Sequence, residues 1–162
     1  MKNTMFFVND TSNWKRFQLV YDPKTTVYNV YAELNYQMSE KMRLAFTADY
    51  LKYKLEKEQQ AWHSPSLKLN ITATYNIGNK IYLKGDIFTF DHTFAKVPVH
   101  VNPKGEVRLK GIIDANIEIR YKYSRYLSIF ARINNIANTK YERWFGYPSF
   151  GLNGLLGVDL TL

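Results

Sequence analysis

The residues best equipped to bind or react are few and scattered. His63, His92 and His100, the only histidines of the chain, carry imidazoles that could contact a metal chelate, while Trp62, Trp144 and Tyr147 offer flat rings that could stack on a sugar or an aromatic chelator. Their spacing gives no metal-ligand geometry, so they read first as loop residues, with Trp144 and Tyr147 packing a hairpin. Asp114 and Glu118 share one face of an alternating segment and could form an acid/base pair. No G-x-S-x-G, P-loop, H-E-x-x-H or Rossmann fingerprint accompanies them. The chain has no cysteine, which excludes disulfide frameworks, thiolate zinc sites and cysteine nucleophiles. The reading is of a protein that is not an enzyme and needs no cofactor or metal.

What must position these residues is legible from composition and period. The chain has 162 residues, 46% of them hydrophobic and 16% aromatic, a length that suits one domain or one piece of a larger one and a composition that argues against disorder. The longest wholly apolar run, Met5 to Val8, is far below the roughly 18–20 residues a membrane helix needs. The start, Met1 to Thr4, has no apolar core and no small-residue cleavage site, so no signal peptide is expected. A net charge of +8 is compatible with nucleic acid, acidic lipid or an anionic solute, yet Lys and Arg are spread evenly and form no basic tail.

Apolar and polar residues alternate at period two from about residue 26 onward, which is the signature of strands with one greasy and one polar face. In 26–38, Tyr28, Val30, Ala32, Leu34 and Tyr36 oppose Asn29, Tyr31, Glu33, Asn35 and Gln37. In 66–77, Leu67, Leu69, Ile71 and Ala73 oppose Lys68, Asn70, Thr72 and Thr74. Segment 110–122 sets Ile113, Ala115, Ile117 and Ile119 against Asp114, Asn116, Glu118 and Arg120. Leu127, Ile129, Ala131 and Ile133, then Leu152 to Leu162, repeat the pattern. Segment 80–91 alternates less cleanly, because Tyr82 and Phe88 share the face of Lys84 and Asp86. Segment 42–55 also fits helical spacing through Leu44, Ala48, Leu51 and Leu55, but its neighbours and the preceding turn favour a strand. Minimal turns at Ser39-Glu40-Lys41, at Gly78-Asn79, read as type II′, and at Ser124-Arg125 alternate with long loops at 56–65, 92–108 and 136–150. Counting 16–22 as a strand, joined to the next by a short link Asp22-Pro23-Lys24-Thr25, gives about eight strands in an all-β, antiparallel, up-and-down meander with both termini at the short-turn end.

Alternation alone does not say which face is wet. Segments of this length, at about 3.3 Å per residue and a tilt near 40°, span a hydrocarbon band of about 25 Å. On the apolar face Tyr36, Tyr75, Tyr121 and Tyr123 lie beside minimal turns and Tyr28 and Tyr50 at the opposite ends, as in two interfacial girdles. Short turns at one end and long loops at the other complete the pattern of a transmembrane β-barrel segment. Its lumen would receive Glu33, Asp49, Lys68, Lys84, Asp86, Asp114, Glu118, Arg120, Arg132 and Asp159, a load that suits a wide wet interior. In lipid the sheet has to close, alone or with other strands.

The run Phe130 to Glu142, with Asn135, Asn138 and Tyr141, followed by Gly146-Tyr147-Pro148-Ser149-Phe150-Gly151 and a last strand, resembles the C-terminal hallmark of TonB-dependent outer-membrane receptors. The resemblance is specific for about residues 128–162. Gly157, Leu160 and Leu162 fall where the family's closing strand is read by the outer-membrane assembly machinery, although Leu162 replaces the commoner aromatic and Leu155 a usual polar residue. The resemblance implies that residues 1–162 are the C-terminal part of a barrel of about 22 strands, without its plug. It implies energy-coupled import of a scarce ligand such as a siderophore, vitamin or oligosaccharide, in the outer membrane of a Gram-negative bacterium. The loop rings and histidines would then face the ligand, lipid and lipopolysaccharide would touch the wall, and TonB would act through a part of the receptor absent here. Two alternatives stay open: a complete small eight-stranded outer-membrane barrel, and a soluble β-barrel binding module. Binding of nucleic acid is not expected, since most aromatics sit among aliphatics and not beside Lys and Arg.

Overall fold

The computed structural model describes residues 2–10 and 12–161. Its described residues form strands and connections with no helix: β1 (Lys2–Asn9), β2 (Phe17–Gln37), β3 (Met42–Lys54), β4 (Leu67–Ile77), β5 (Ile81–Phe90), β6 (Thr93–Lys96), β7 (Glu106–Leu109), β8 (Ile112–Lys122), β9 (Leu127–Asn134), β10 (Glu142–Trp144), β11 (Tyr147–Pro148) and β12 (Asn153–Leu160). One eight-stranded sheet runs β1-β2-β3-β4-β5-β8-β9-β12, every pair antiparallel, and two small hairpins, β6-β7 and β10-β11, rise from the long connections. The expected meander is therefore present, and segments 42–55 and 80–91 are strands within a residue of the expected bounds.

The sheet is inside-out relative to a soluble protein. On the apolar face Val30 is 65% exposed, Ile113 66% and Leu156 80%, whereas Asp114 and Glu118 on the other face are 4% and 8% exposed. Side chains one residue apart in a strand point to opposite faces, so β8 reads as a ladder in which each exposed Ile is flanked by a shielded polar or charged neighbour. Leu, Ile and Val side chains do not converge between sheets. The buried apolar residues Phe6, Val8, Trp62, Ala95, Val97, Leu109 and Ile112 gather instead toward the long-loop end.

Two sequence expectations need correction. Asp22-Pro23-Lys24-Thr25 is not a link between strands but a bulge inside the 21-residue strand β2. Between the pairs Lys2↔Thr25 and Thr4↔Asp22, β2 carries an extra residue, a place where the missing N–H of Pro23 is tolerated. The extra residue flips the alternation: Phe17, Leu19 and Tyr21 are the exposed set before it, and Tyr28, Val30 and Leu34 after it. Met5 to Val8 takes the place of 16–22 as the first strand, and its start pairs high on β2 at Thr25 and not at the short-turn end. The second correction concerns the Gly78-Asn79 turn. Both central residues have positive φ, 57° and 56°, which makes it type I′, the turn whose twist matches the flanking strands.

The minimal turns are otherwise as expected. Ser39 and Ser124 close theirs by accepting backbone N–H groups on Oγ from Lys41 and Met42, and from Tyr126 and Leu127.

Candidate functional site

The polar face is built from rows set by strand register. One row runs Tyr31, Asp49, Lys68, Phe90 and Ile112; a row toward the turns runs Gln37, Arg43, Thr74, Lys84, Glu118, Arg132 and Leu155. Every side chain expected to face a lumen lies on this face. Four of them form one ion-pair chain across β8, β9 and β12: Arg132 donates Nε at 2.8 Å and a guanidinium Nη to Glu118 Oε2, Arg120 donates to Glu118 Oε1 at 3.2 Å, and Arg120 also pairs with Asp159. Glu118 thus sits between two guanidiniums, which compensates its burial. Asp49 accepts Asn29 Nδ2 at 2.6 Å and faces Lys68 at 4.0 Å. Asp86 accepts Asn116 Nδ2 at 2.6 Å, and Glu33 is held along its own strand by Tyr31 and Asn35. Lys84 stands opposite Glu118 in register without forming an ion pair among the described residues.

At the long-loop end the connection 135–152 forms an arm. Asn135 is buried and in the left-handed region (φ 51°). Its Nδ2 donates to the carbonyls of Thr139 (2.8 Å) and Phe150 (3.0 Å), and its Oδ1 accepts the Thr139 N–H (2.9 Å), closing the base of the arm. Asn138, also left-handed, accepts the Leu152 N–H at 2.9 Å. Tyr141 donates its hydroxyl to Asp114 at 2.8 Å, fixing the arm to the polar face, and the Arg143 guanidinium lies 5.5 Å from the Phe90 ring. The motif's asparagines and tyrosine therefore have a structural task. Beyond them Gly146 (φ 80°) lies so close to the Trp14 ring that a Cβ would overlap it, and Asn9 Nδ2 donates to Phe145 O at 3.2 Å. The arm thereby joins the β8-β9 side of the sheet to the β1-β2 hairpin.

That hairpin is buried on one face and partly open on the other. Phe6 and Val8 pack with Trp62 and Phe94 on one. Phe7 and Phe17 meet Trp144 and Tyr147 on the other, around a cleft of about 290 Å³. His63 stacks on Trp144 at 4.5 Å and its Nδ1 lies 3.1 Å from Phe7 O, while Nε2 is buried without a partner. Burial holds its imidazole below the usual histidine range, and the bond to Phe7 O offsets this only in part. Glu58 is pushed up by burial, but hydrogen bonds from Lys96 (2.8 Å) and Trp62 Nε1 (2.7 Å) outweigh this and hold it below the usual carboxylate range.

The loop residues expected to share a ligand are thus dispersed. Trp62 is 4% exposed and serves the packing, so its ring faces are taken. His63, Trp144 and Tyr147 come together, His92 sits edge-on to Phe94 at another cleft, and His100 lies exposed at the tip of the β6-β7 hairpin. Among the described residues no three acidic or histidine side chains gather as a metal site. Gly157 faces Phe130, whose ring lies where a Cβ would be, and Leu160 is exposed on the apolar face; Leu162 lies outside the described residues. Sequence reading missed Phe7, Asn9, Trp14 and Phe17 as partners of the arm. The aromatic density of residues 6–17 was the available signal.

No protein-family model and no curated protein matches the chain. Solved structures do. The copper transporter OprC superposes with a TM-score of 0.73 at 13% identity over 99% of this chain and 27% of its own. The siderophore receptor PiuA from Acinetobacter baumannii gives 0.67 at 13% over 98% and 25%. The ferripyoverdine receptor of the outer membrane of Pseudomonas aeruginosa gives 0.68 at 12% over 89% and 20%. The chain spans about a fifth to a quarter of the length of these proteins. It has the fold of a segment of the β-barrel of TonB-dependent outer-membrane receptors, the family that its motif at 130–151 resembles.

Proposed function

We propose that this chain is part of the barrel wall of a ligand-importing TonB-dependent receptor in a Gram-negative outer membrane. The observation that carries the reading is the inverted sheet: aliphatic side chains exposed on one face, and on the other charges paired with one another around the shielded Glu118. Lipid would solvate the first face and a wet lumen the second. β1 and β12 occupy opposite edges of the sheet, each with one side unpaired among the described residues, which supports a place in a larger barrel over an eight-stranded barrel closed on itself. In this reading the chain is the C-terminal part of its barrel, and the long-loop end faces outside, where the rings of Trp144 and Tyr147 would meet a siderophore, vitamin or sugar. Energy coupling would act through a segment outside this chain, and Gly157, Leu160 and Leu162 would be read by the assembly machinery.

Because the chain lacks cysteine, single-cysteine variants test the wall directly. Leu34→Cys, Ile71→Cys and Ile117→Cys should resist a water-soluble maleimide in outer-membrane preparations, while Asn35→Cys, Thr72→Cys and Asn116→Cys react. Equal labelling of the two sets, or recovery of the protein in the soluble fraction, would overturn the reading.

A further inference from the structure

A cleft of about 330 Å³ lies between the end of β7 and the arm, lined by Arg108, Leu109, Lys110, Tyr141, Glu142 and their neighbours, with Lys140 at its edge. Arg108, at the end of β7, and Lys110, just beyond it, are both exposed on either side of the buried Leu109 and both line the cleft. Arg108, Lys110 and Lys140 take part in no ion pair among the described residues. Of the nearby acids, Glu142 accepts the Gly146 N–H at 3.0 Å and Asp114 accepts the Tyr141 hydroxyl. The lining of the cleft therefore carries three cations, Arg108, Lys110 and Lys140, and one carboxylate, Glu142, beside Leu109, Tyr141 and Pro148, with Glu106 two residues before Arg108 on β7 outside the lining. That excess of positive charge on the lining would be offset by an anion entering the cleft.

We propose that this cleft binds a ligand carrying clustered oxyanions, carboxylate or phosphate. The fork of Arg108 is suited to a two-point contact with one oxyanion, and Lys110 and Lys140 supply point charges to a second. Because Arg108 and Lys110 belong to the β6-β7 connection and Lys140 to the arm, the bound anion would tie the two loops together. The inference goes beyond the import reading and does not require it, since a bound polyanion need not be transported.

The test is calorimetric titration of the full chain in neutral detergent with sodium tripolyphosphate, with citrate, and with micelles doped with diphosphorylated lipid A. Compared are the native chain, the triple variant R108Q/K110Q/K140Q and a charge-matched control, K41Q/K80Q/R125Q, altered only at the minimal turns. The expected result is binding that weakens as salt rises, drops about tenfold or more in the cleft variant, and persists in the control. Binding of tripolyphosphate or citrate would mark a solute as the source, and binding confined to lipid A micelles would mark a lipid headgroup. The conservative R108K keeps the charge and guards against misfolding; it should bind more weakly than the native chain and better than the triple variant. Equal loss in the control and the cleft variant, or no binding of any of the three probes by the native chain, would overturn the proposal.

Discussion

At the residue scale, the asparagines of the motif act as backbone staples. Asn135 occupies a conformation that costs an ordinary L-residue about 1 kcal/mol, and its buried amide is itself paired with the backbone of Thr139 and Phe150. Asn135→Ala is expected to destabilise the arm by roughly 2–4 kcal/mol and to open it to tryptic cleavage after Lys140. Asn135→Gly, which relieves the strain but not the lost hydrogen bonds, should fall between Ala and the native chain. His63 adds a pH dependence. Its folded pKa is lowered by burial, so its contribution to holding loop 55–66 on the arm is complete above the unfolded value of about 6.5 and is lost as pH falls below it. Protease nicking of this loop should accelerate as pH falls below about 6.5 in the native chain and stay flat in His63→Phe. Glu58, also lowered, responds in a separate window, below about pH 4.5. The two windows distinguish the groups.

At the element scale, the controlling feature is the β2 bulge. It lets one continuous strand pair with β1 along Phe17–Thr25 and with β3 along Thr26–Gln37 while swapping which parity faces out. Deleting Lys24 removes the extra residue, so one of the two registers has to slip by one and turn its side chains over. The expected outcome is loss of amide protection in Phe6 to Val8 with β4, β5 and β8 unchanged, measured by hydrogen exchange. Retained protection in β1 would show that the extra residue does not set the alternation.

At the scale of the whole molecule, the outward face is matched to an apolar solvent and the opposite face to water. Ile71 pairs in register with Phe46 and Ile87 in the middle of that outward face. Ile71→Arg should cost about 2–4 kcal/mol in bilayers, whereas Thr72→Arg, one residue on and beside Asp86, should cost less than about 1 kcal/mol. Equilibrium unfolding in urea from lipid vesicles measures both. Equal penalties would contradict an inverted sheet.

The amino-acid sequence by itself determined the strands from about residue 26 onward, their faces and the rhythm of turns, because a strand's side chains alternate by local backbone geometry and a minimal turn needs only two or three suitable residues. It also marked 130–151 as unusual, through residue types whose left-handed conformations and buried amides turned out to hold the arm. Only the tertiary structure decided that Pro23 sits in a bulge and not a turn, since a proline inside an alternating run has the same local appearance in both. It alone decided that Trp62 is packing, that Glu118 is shared by Arg120 and Arg132, and that Phe145 reaches Asn9. Such contacts depend on register and sheet curvature summed over many strands, and no local period encodes that sum.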